Sequence, residues 1–153
     1  MKTTMKKVAA IVMVSVMALS MAACKKGAKK VSVDDFKKAC DEVGLTVEDL
    51  GAGDAAKEQY SATNSDNTLE VSYVIAENSS DAKKAFEMVT DSVDMLKELG
   101  ADVKKSSGKV VVTMGDTMYS AALQSGDMFL SISASGDEEA VKTAKELASK
   151  LGI

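Results

Sequence analysis

The chain has 153 residues, and its 19 basic residues are all lysine, set against 23 acids for a formal net charge of −4. It has no histidine, which removes the commonest general base and neutral metal ligand at neutral pH. It also has no arginine, so no planar fork can clamp a carboxylate or phosphate through two parallel hydrogen bonds. Ser-His-Asp and Cys-His mechanisms and an ordinary zinc site are thereby excluded.

The first residues predict an export signal. Met1 to Lys7 carries Lys2, Lys6 and Lys7 and no acid, and Val8 to Ala23 is uncharged and mostly apolar. A basic start, an apolar stretch and a small-residue end make a secretory signal peptide over residues 1–23. The apolar run stops at Cys24-Lys25-Lys26, short of the roughly 20 residues needed to cross a bilayer. Leu19-Ser20-Met21-Ala22-Ala23-Cys24 resembles the lipobox of bacterial lipoproteins. The resemblance implies cleavage before Cys24 and acylation of its sulfur, with diacylglyceryl and palmitate-type chains holding the protein at the outer face of the cell membrane. Met21 stands where that motif usually has leucine, and Ser20-Met21-Ala22 also suits an ordinary signal peptidase, which would release a secreted chain.

Residues 24–30 form a short basic tether containing Lys25, Lys26, Lys29 and Lys30. Beside an acylated Cys24 these lysines would meet membrane lipids, each adding about 1 kcal/mol of attraction to an anionic surface. A solvated linker is the alternative. Residues 31–153 carry 12 lysines against all 23 acids, a net charge of −11. That balance disfavours nucleic acid as a partner, since a phosphate backbone calls for a basic face. Some 120 residues suffice for a single α+β domain with its own core.

Three helices are expected within it. Ser32, Asn78 and Ser135 each precede an acid by two or three residues, and Gly44, Gly100 and Gly152 follow the apolar-periodic stretches. Side-chain caps, acids in the first turn and a terminal glycine bound helices near 33–43, 79–99 and 137–151. The first buries Phe36, Cys40 and Val43. The second repeats Ala82, Phe86, Val89, Val93, Leu96 and Leu99 at three- and four-residue spacing, and the last Val141, Ala144, Leu147 and Leu151.

Elsewhere the period is two. Leu69, Val71, Tyr73 and Ile75 alternate with Glu70, Ser72, Val74 and Ala76, after a weaker strand at 57–63 and a turn at 64–67. Strands follow at 109–114, 117–124 and 128–134, with Gly115-Asp116 and Ser125-Gly126-Asp127 as turns. The expected order is α-β-β-α-β-β-β-α, with 102–105 as a candidate further strand. It predicts an antiparallel sheet of about five strands with the helices on one face. The 51–56 loop is the expected flexible segment.

Several segments together are similar to small uncharacterised lipoproteins of Gram-positive bacteria. They are Phe36 in a helix ending Val43-Gly44-Leu45, the run Ser80-Asp81-Ala82-Lys83-Lys84-Ala85-Phe86, the hairpin at Gly115-Asp116-Thr117, and the ending Leu151-Gly152-Ile153. The resemblance spans most of 31–153 and implies no activity or site beyond the lipid attachment at Cys24.

Little chemistry remains. Acids at Asp34/Asp35 and Asp137/Glu138/Glu139 are accounted for by helix starts. Glu48/Asp49, beside Gly51, Gly53 and Asp54, lack the ligand order of a calcium loop and suit solvated surface better. Cys40 is left without a disulfide partner once Cys24 is acylated, and its place on an apolar face predicts a buried structural thiol. Tyr60 and Tyr119 are the only candidates for an exposed aromatic contact, and each sits in a strand pattern that suits burial at least as well, while Met88, Met95, Met114, Met118 and Met128 suit ordinary packing. No cofactor or metal is expected. The expectation is a membrane-anchored, non-enzymatic binding module. A carboxylate-only envelope hydrolase and a structural or envelope-stress protein are the alternatives.

Overall fold

The structure, a computed structural model, describes residues 28–153. The expected leader, Cys24, Lys25 and Lys26 lie outside the described residues. Among the described residues there are three helices: α1 (Val33–Glu42), α2 (Ser79–Glu98) and α3 (Glu138–Lys150). Ser32 Oγ accepts from Asp35 N at 3.1 Å and Asn78 Oδ1 from Asp81 N at 3.0 Å, so two helices start on the expected caps. The third cap is Asp137, whose carboxylate accepts from Glu139 N, and not Ser135. Ser135 is still the last residue of a strand, and Gly136, at φ +77°, turns the chain before the helix's first free N–H groups occur.

All three helices end by one device. Leu45 N donates to Cys40 O, Ala101 N to Leu96 O and Ile153 N to Ala148 O, at 2.9 to 3.1 Å, each just after a left-handed glycine. This six-residue closure satisfies carbonyls that would otherwise be orphaned and turns an apolar side chain back onto the helix. Leu45 and Ala101 are accordingly buried.

The sheet has seven strands, all antiparallel: β1 (Thr46–Asp49), β2 (Ala56–Thr63), β3 (Leu69–Ala76), β4 (Asp102–Ser106), β5 (Lys109–Met114), β6 (Met118–Ser125) and β7 (Met128–Ser135). Their spatial order is β1-β2-β3-β7-β6-β5-β4. Two meanders thus meet where β3 pairs with β7, placing Tyr73 opposite Leu130 and Val71 opposite Ile132 at the centre. The expected count of about five omitted the two edges. The β4 edge is the candidate strand at 102–105, whereas β1 has no apolar alternation to reveal it, because Thr-Val-Glu-Asp offers only Val47 to a neighbour and leaves the rest exposed. A strand so short and acidic also protects the sheet edge from pairing with other chains.

The helices do not share a face. Helices α1 and α3 cover one side, packing Phe36, Cys40, Val141, Ala144 and Leu147 on the inward side chains of β2, β3, β6 and β7. Helix α2 lies on the other side, where Val93 clusters with Val110, Val112 and Ala122, and Phe86 and Phe129 pack against that cluster. The reason is local to β5 and β6. Val110-Val111-Val112 and Ala121-Ala122-Leu123 are apolar on both faces, and a strand apolar all round has to be buried on both. The β2–β3 half alternates with half-buried Ser61 and Ser72 and exposed Glu70, so that face is polar and needs no full cover.

The outer face of α2 corrects three expectations. Leu99, Met88 and Met95 are 73%, 73% and 66% exposed, so none of them is core. Because α2 rests on a flat β surface by one narrow stripe, residues a third of a turn away from that stripe face water. The Gly51–Ala56 loop is tied down by Gly53 N to Ala56 O at 2.9 Å and Glu77 N to Ala55 O at 3.1 Å.

Candidate functional site

The segment before α1 is held along the end of the sheet where β6 turns into β7. Ser125 Oγ donates to Ala28 O at 2.7 Å, and buried Tyr73 donates its hydroxyl to Val31 O at 2.7 Å. Val31 N points at Met128 Sδ, 3.3 Å away. Lys30 closes the clasp with a 2.6 Å ion pair to Asp127 in the β6–β7 turn, and Lys57 stands 3.8 Å from the same carboxylate. Gly108, at φ +73°, makes room for this path, since a Cβ there would lie 2.5 Å from Gln124 O and 2.9 Å from Ala28 Cβ.

Beside this clasp runs an open cleft of about 420 Å³ between α1, the end of α3 and the start of β5. Lys29 and Lys30 line it from the N-terminal segment, Lys38 from α1, Lys109 from β5 and Lys150 from α3. Two acids share the lining, Asp35 and Glu42. Glu42 is occupied by Lys150 at 2.9 Å, and Asp35 accepts from Ser32 Oγ at 2.8 Å. Lys109 donates to Gly152 O just past the end of α3. Lys29 and Lys38 form no ion pair within 4.0 Å among the described residues. Five lysines against two acids make this a positive concavity on a domain whose balance is otherwise strongly acidic. Lys150 sits there for a helical reason, since cations favour the negative C-terminal end of the macrodipole.

The electrostatics of these pairs run as their geometry dictates. The Lys150 ammonium, hydrogen-bonded to Glu42, holds that carboxyl below the usual glutamate value, and Lys150 is in turn raised by Glu42. Asp127 is likewise lowered, chiefly by the hydrogen bond from Lys30. A depressed carboxylate pKa stabilises the clasp at every pH above the ordinary aspartate value, near 3.9, and the contribution is lost as pH falls through the lowered value. Both partners are partly exposed, so the clasp is worth at most about 1 kcal/mol. Asp127→Asn is therefore expected to raise trypsin cleavage after Lys29 and Lys30 about two- to fivefold at neutral pH, with thermal stability nearly unchanged. Cleavage at the parent rate would mean that Ser125 and Tyr73 hold the segment unaided.

The other expected site residues are scattered. Cys24, Lys25 and Lys26 lie outside the described residues. Glu48 and Asp49 are exposed on β1, where Asp49 Oδ1 accepts from Gly51 N and so shapes the following turn. Asp34, Asp35, Glu138 and Glu139 lie in first helical turns, and no cluster of three or more acids or cysteines suited to a metal occurs among the described residues. Tyr60 and Tyr119 are buried, not exposed contacts: Tyr60 packs against Phe36 and Tyr73 under the Lys37 ammonium, and burial pushes the Tyr119 hydroxyl up to about 12. Cys40 is fully buried, its thiol pushed up to about 12 by desolvation. Among the methionines Met128 is buried, whereas Met114 and Met118 are half-buried beneath α2.

Sequence reasoning marked Lys29 and Lys30 but missed Lys38, Lys109 and Lys150. Each of these is one lysine among many on a solvated element, and only the fold brings them to one rim. The chain matches no protein-family model and no curated protein sequence.

Proposed function

We propose that the protein is a lipid-anchored extracytoplasmic module that binds a partner or an envelope component and does not turn one over. The observation that carries this reading is the path of the N-terminal segment. Ala28 to Val31 is fastened to the domain beside the lysine-lined cleft. Three residues separate Cys24 from Ala28, so the four steps between them span at most about 14 Å when fully extended. An acylated Cys24 would therefore hold the lysine-rich end of the domain against the bilayer and turn the acidic remainder away from it. None of the described helices is long and apolar enough to cross a membrane, so attachment in this reading rests on the acyl chains, with the lysines as the second signal that stable anchoring needs.

The test is direct. Intact mass of the membrane-extracted protein is expected to show a chain beginning at acylated Cys24, and Cys24→Ser to move nearly all of it out of the membrane fraction. An unmodified chain beginning at Ala23 or Cys24 would replace anchorage with free secretion. Turnover of a cell-wall or peptide substrate, abolished by carboxylate-to-amide substitutions, would replace binding with hydrolysis.

A further inference from the structure

The lysine-lined cleft brings together charges that have no structural need of one another. Lys38 on α1, Lys109 on β5 and Lys150 on α3 are 71 and 41 residues apart in sequence, yet they line one concavity with Lys29 and Lys30. Like charges so gathered repel one another, and the fold offsets only part of this, through Glu42 and the more distant Glu146 on Lys150 and Asp127 on Lys30. Lys38 and Lys29 have no carboxylate within 4.0 Å among the described residues, and Lys109 meets only a backbone carbonyl. Their hydrogen-bonding capacity is largely unspent, because an ammonium carries three donors and accepts nothing. A cleft of about 420 Å³ also has the size of a small-ligand site. It is open enough to admit a group projecting from a surface.

We propose that this cleft binds a phosphate-bearing anion, the headgroup phosphate of an anionic membrane lipid, held by Lys38, Lys109 and Lys150 with Lys29 and Lys30 at its mouth. Phosphate fits better than carboxylate because three separate ammonium groups approach from different elements. Point charges around a tetrahedral anion suit that geometry, whereas a planar carboxylate is best met by the arginine fork this chain lacks. The lipid, as the source of that phosphate, is favoured by position. The mouth of the cleft is only five residues from Cys24, within roughly 18 Å of any anchor there. At full extension that is about two screening lengths of 8–10 Å, and any slack in the segment brings the lysines within the first, where the surface field acts on them. This inference rests on the anchored reading for its lipid, but the anion site itself does not require an acyl chain.

The experiment uses residues 24–153 carrying Cys24→Ser, the chain that signal cleavage would leave, so that neither an acyl group nor the apolar leader contributes. It is mixed with phosphatidylcholine vesicles with and without phosphatidylglycerol, and separately titrated with inorganic phosphate. Binding is expected only to the phosphatidylglycerol vesicles and to weaken with salt; equal binding to pure phosphatidylcholine would overturn the proposal. Lys38→Gln and Lys109→Gln are each expected to weaken it about fivefold, whereas Lys38→Arg retains it. Lys83→Gln and Lys97→Gln, on the opposite face of the sheet, should leave it unchanged. Lys38 has no carboxylate partner to orphan, so its variant should unfold at the parent temperature, which separates lost binding from lost structure. Inorganic phosphate that binds in a Lys38-dependent way and competes with vesicles would support the site and identify free phosphate as a ligand. Equal losses from Lys83→Gln and Lys97→Gln, or no binding to either probe, would overturn the proposal. Acylated Cys24 in the native protein together with inert lysine variants would sink the cleft alone, and a bare Cys24 with lysine-dependent binding intact would sink the anchor alone.

Discussion

Phe36→Ala is expected to destabilise the protein by about 3–5 kcal/mol, the largest loss available to a single truncation on α1. Phe36 is fully buried, its ring stacked on Tyr73 at 4.8 Å between centroids and tilted against Tyr60 at 6.5 Å. Removing it costs the transfer of a large apolar ring and leaves a void between α1 and the β2–β3 surface that a rigid sheet cannot collapse to fill. Tyr73 is then free to move, and its 2.7 Å hydrogen bond to Val31 O, which helps hold the N-terminal segment, is weakened. Against a typical total of about 5–15 kcal/mol for a domain, such a loss brings the variant close to unfolding at growth temperature. The thermal midpoint should fall by on the order of 10–20 °C, and the denaturant midpoint should fall with an unchanged slope. Met95→Ala, on the exposed side of α2, is the matched control and should stay within about 0.5 kcal/mol. A Phe36→Ala loss below about 1 kcal/mol would mean that the aromatic cluster is not the keystone of the α1 contact.

The second large effect is kinetic. Cys40 has no solvent exposure, and burial moves its thiol from 9.0 to about 12. The thiolate is the reactive form, and a shift of that size lowers its fraction at pH 8 by on the order of 10³. In the Cys24→Ser chain, where Cys40 is the only thiol, a disulfide reagent should therefore react at least 10³-fold more slowly with the folded than with the unfolded protein. Because the reagent also has to reach the sulfur, the observed rate should report opening of α1. Phe36→Ala, with about 3–5 kcal/mol less stability, should then accelerate labelling by roughly 10²–10⁴. Rapid labelling of the folded parent would show that α1 lifts away readily and that Cys40 is not locked in the core.

The two effects share an origin that was partly legible in the amino acids. Phe36, Cys40 and the capping Ser32 lie within one segment, and a helical period with its own cap and terminal glycine is a local property readable over a dozen residues. The same holds for the stripes of α3 and for the alternation in β3 and β7. Local reasoning failed where the answer depended on what lay across from a segment. Strand β1 forms because β2 offers it a paired edge, with Thr46 opposite Thr63 and Asp49 opposite Tyr60, and not because Thr-Val-Glu-Asp prefers to be extended. Met88, Met95 and Leu99 have a helical apolar spacing yet face water, since hydrophobic spacing identifies a stripe without revealing how wide a surface will meet it. The exchange of Ser135 for Asp137 as a cap is a smaller case, decided by where β7 stops.

The cleft is the clearest division between the two levels. From the chain alone came the basic N-terminal segment, the acidic balance of residues 31–153, the absence of histidine and arginine, the three helices and the central strands. These depend on composition and on interactions spanning a few residues. Tertiary structure alone decided that the helices lie on both faces of the sheet, that Lys30 is fastened to Asp127, and that Lys38, Lys109 and Lys150 share one rim with Lys29. Charges on separate elements carry no mutual signal along the chain, because their separation in space is set by strand register and helix packing. Those in turn are set by burial of the apolar faces, a process indifferent to which lysines it happens to gather.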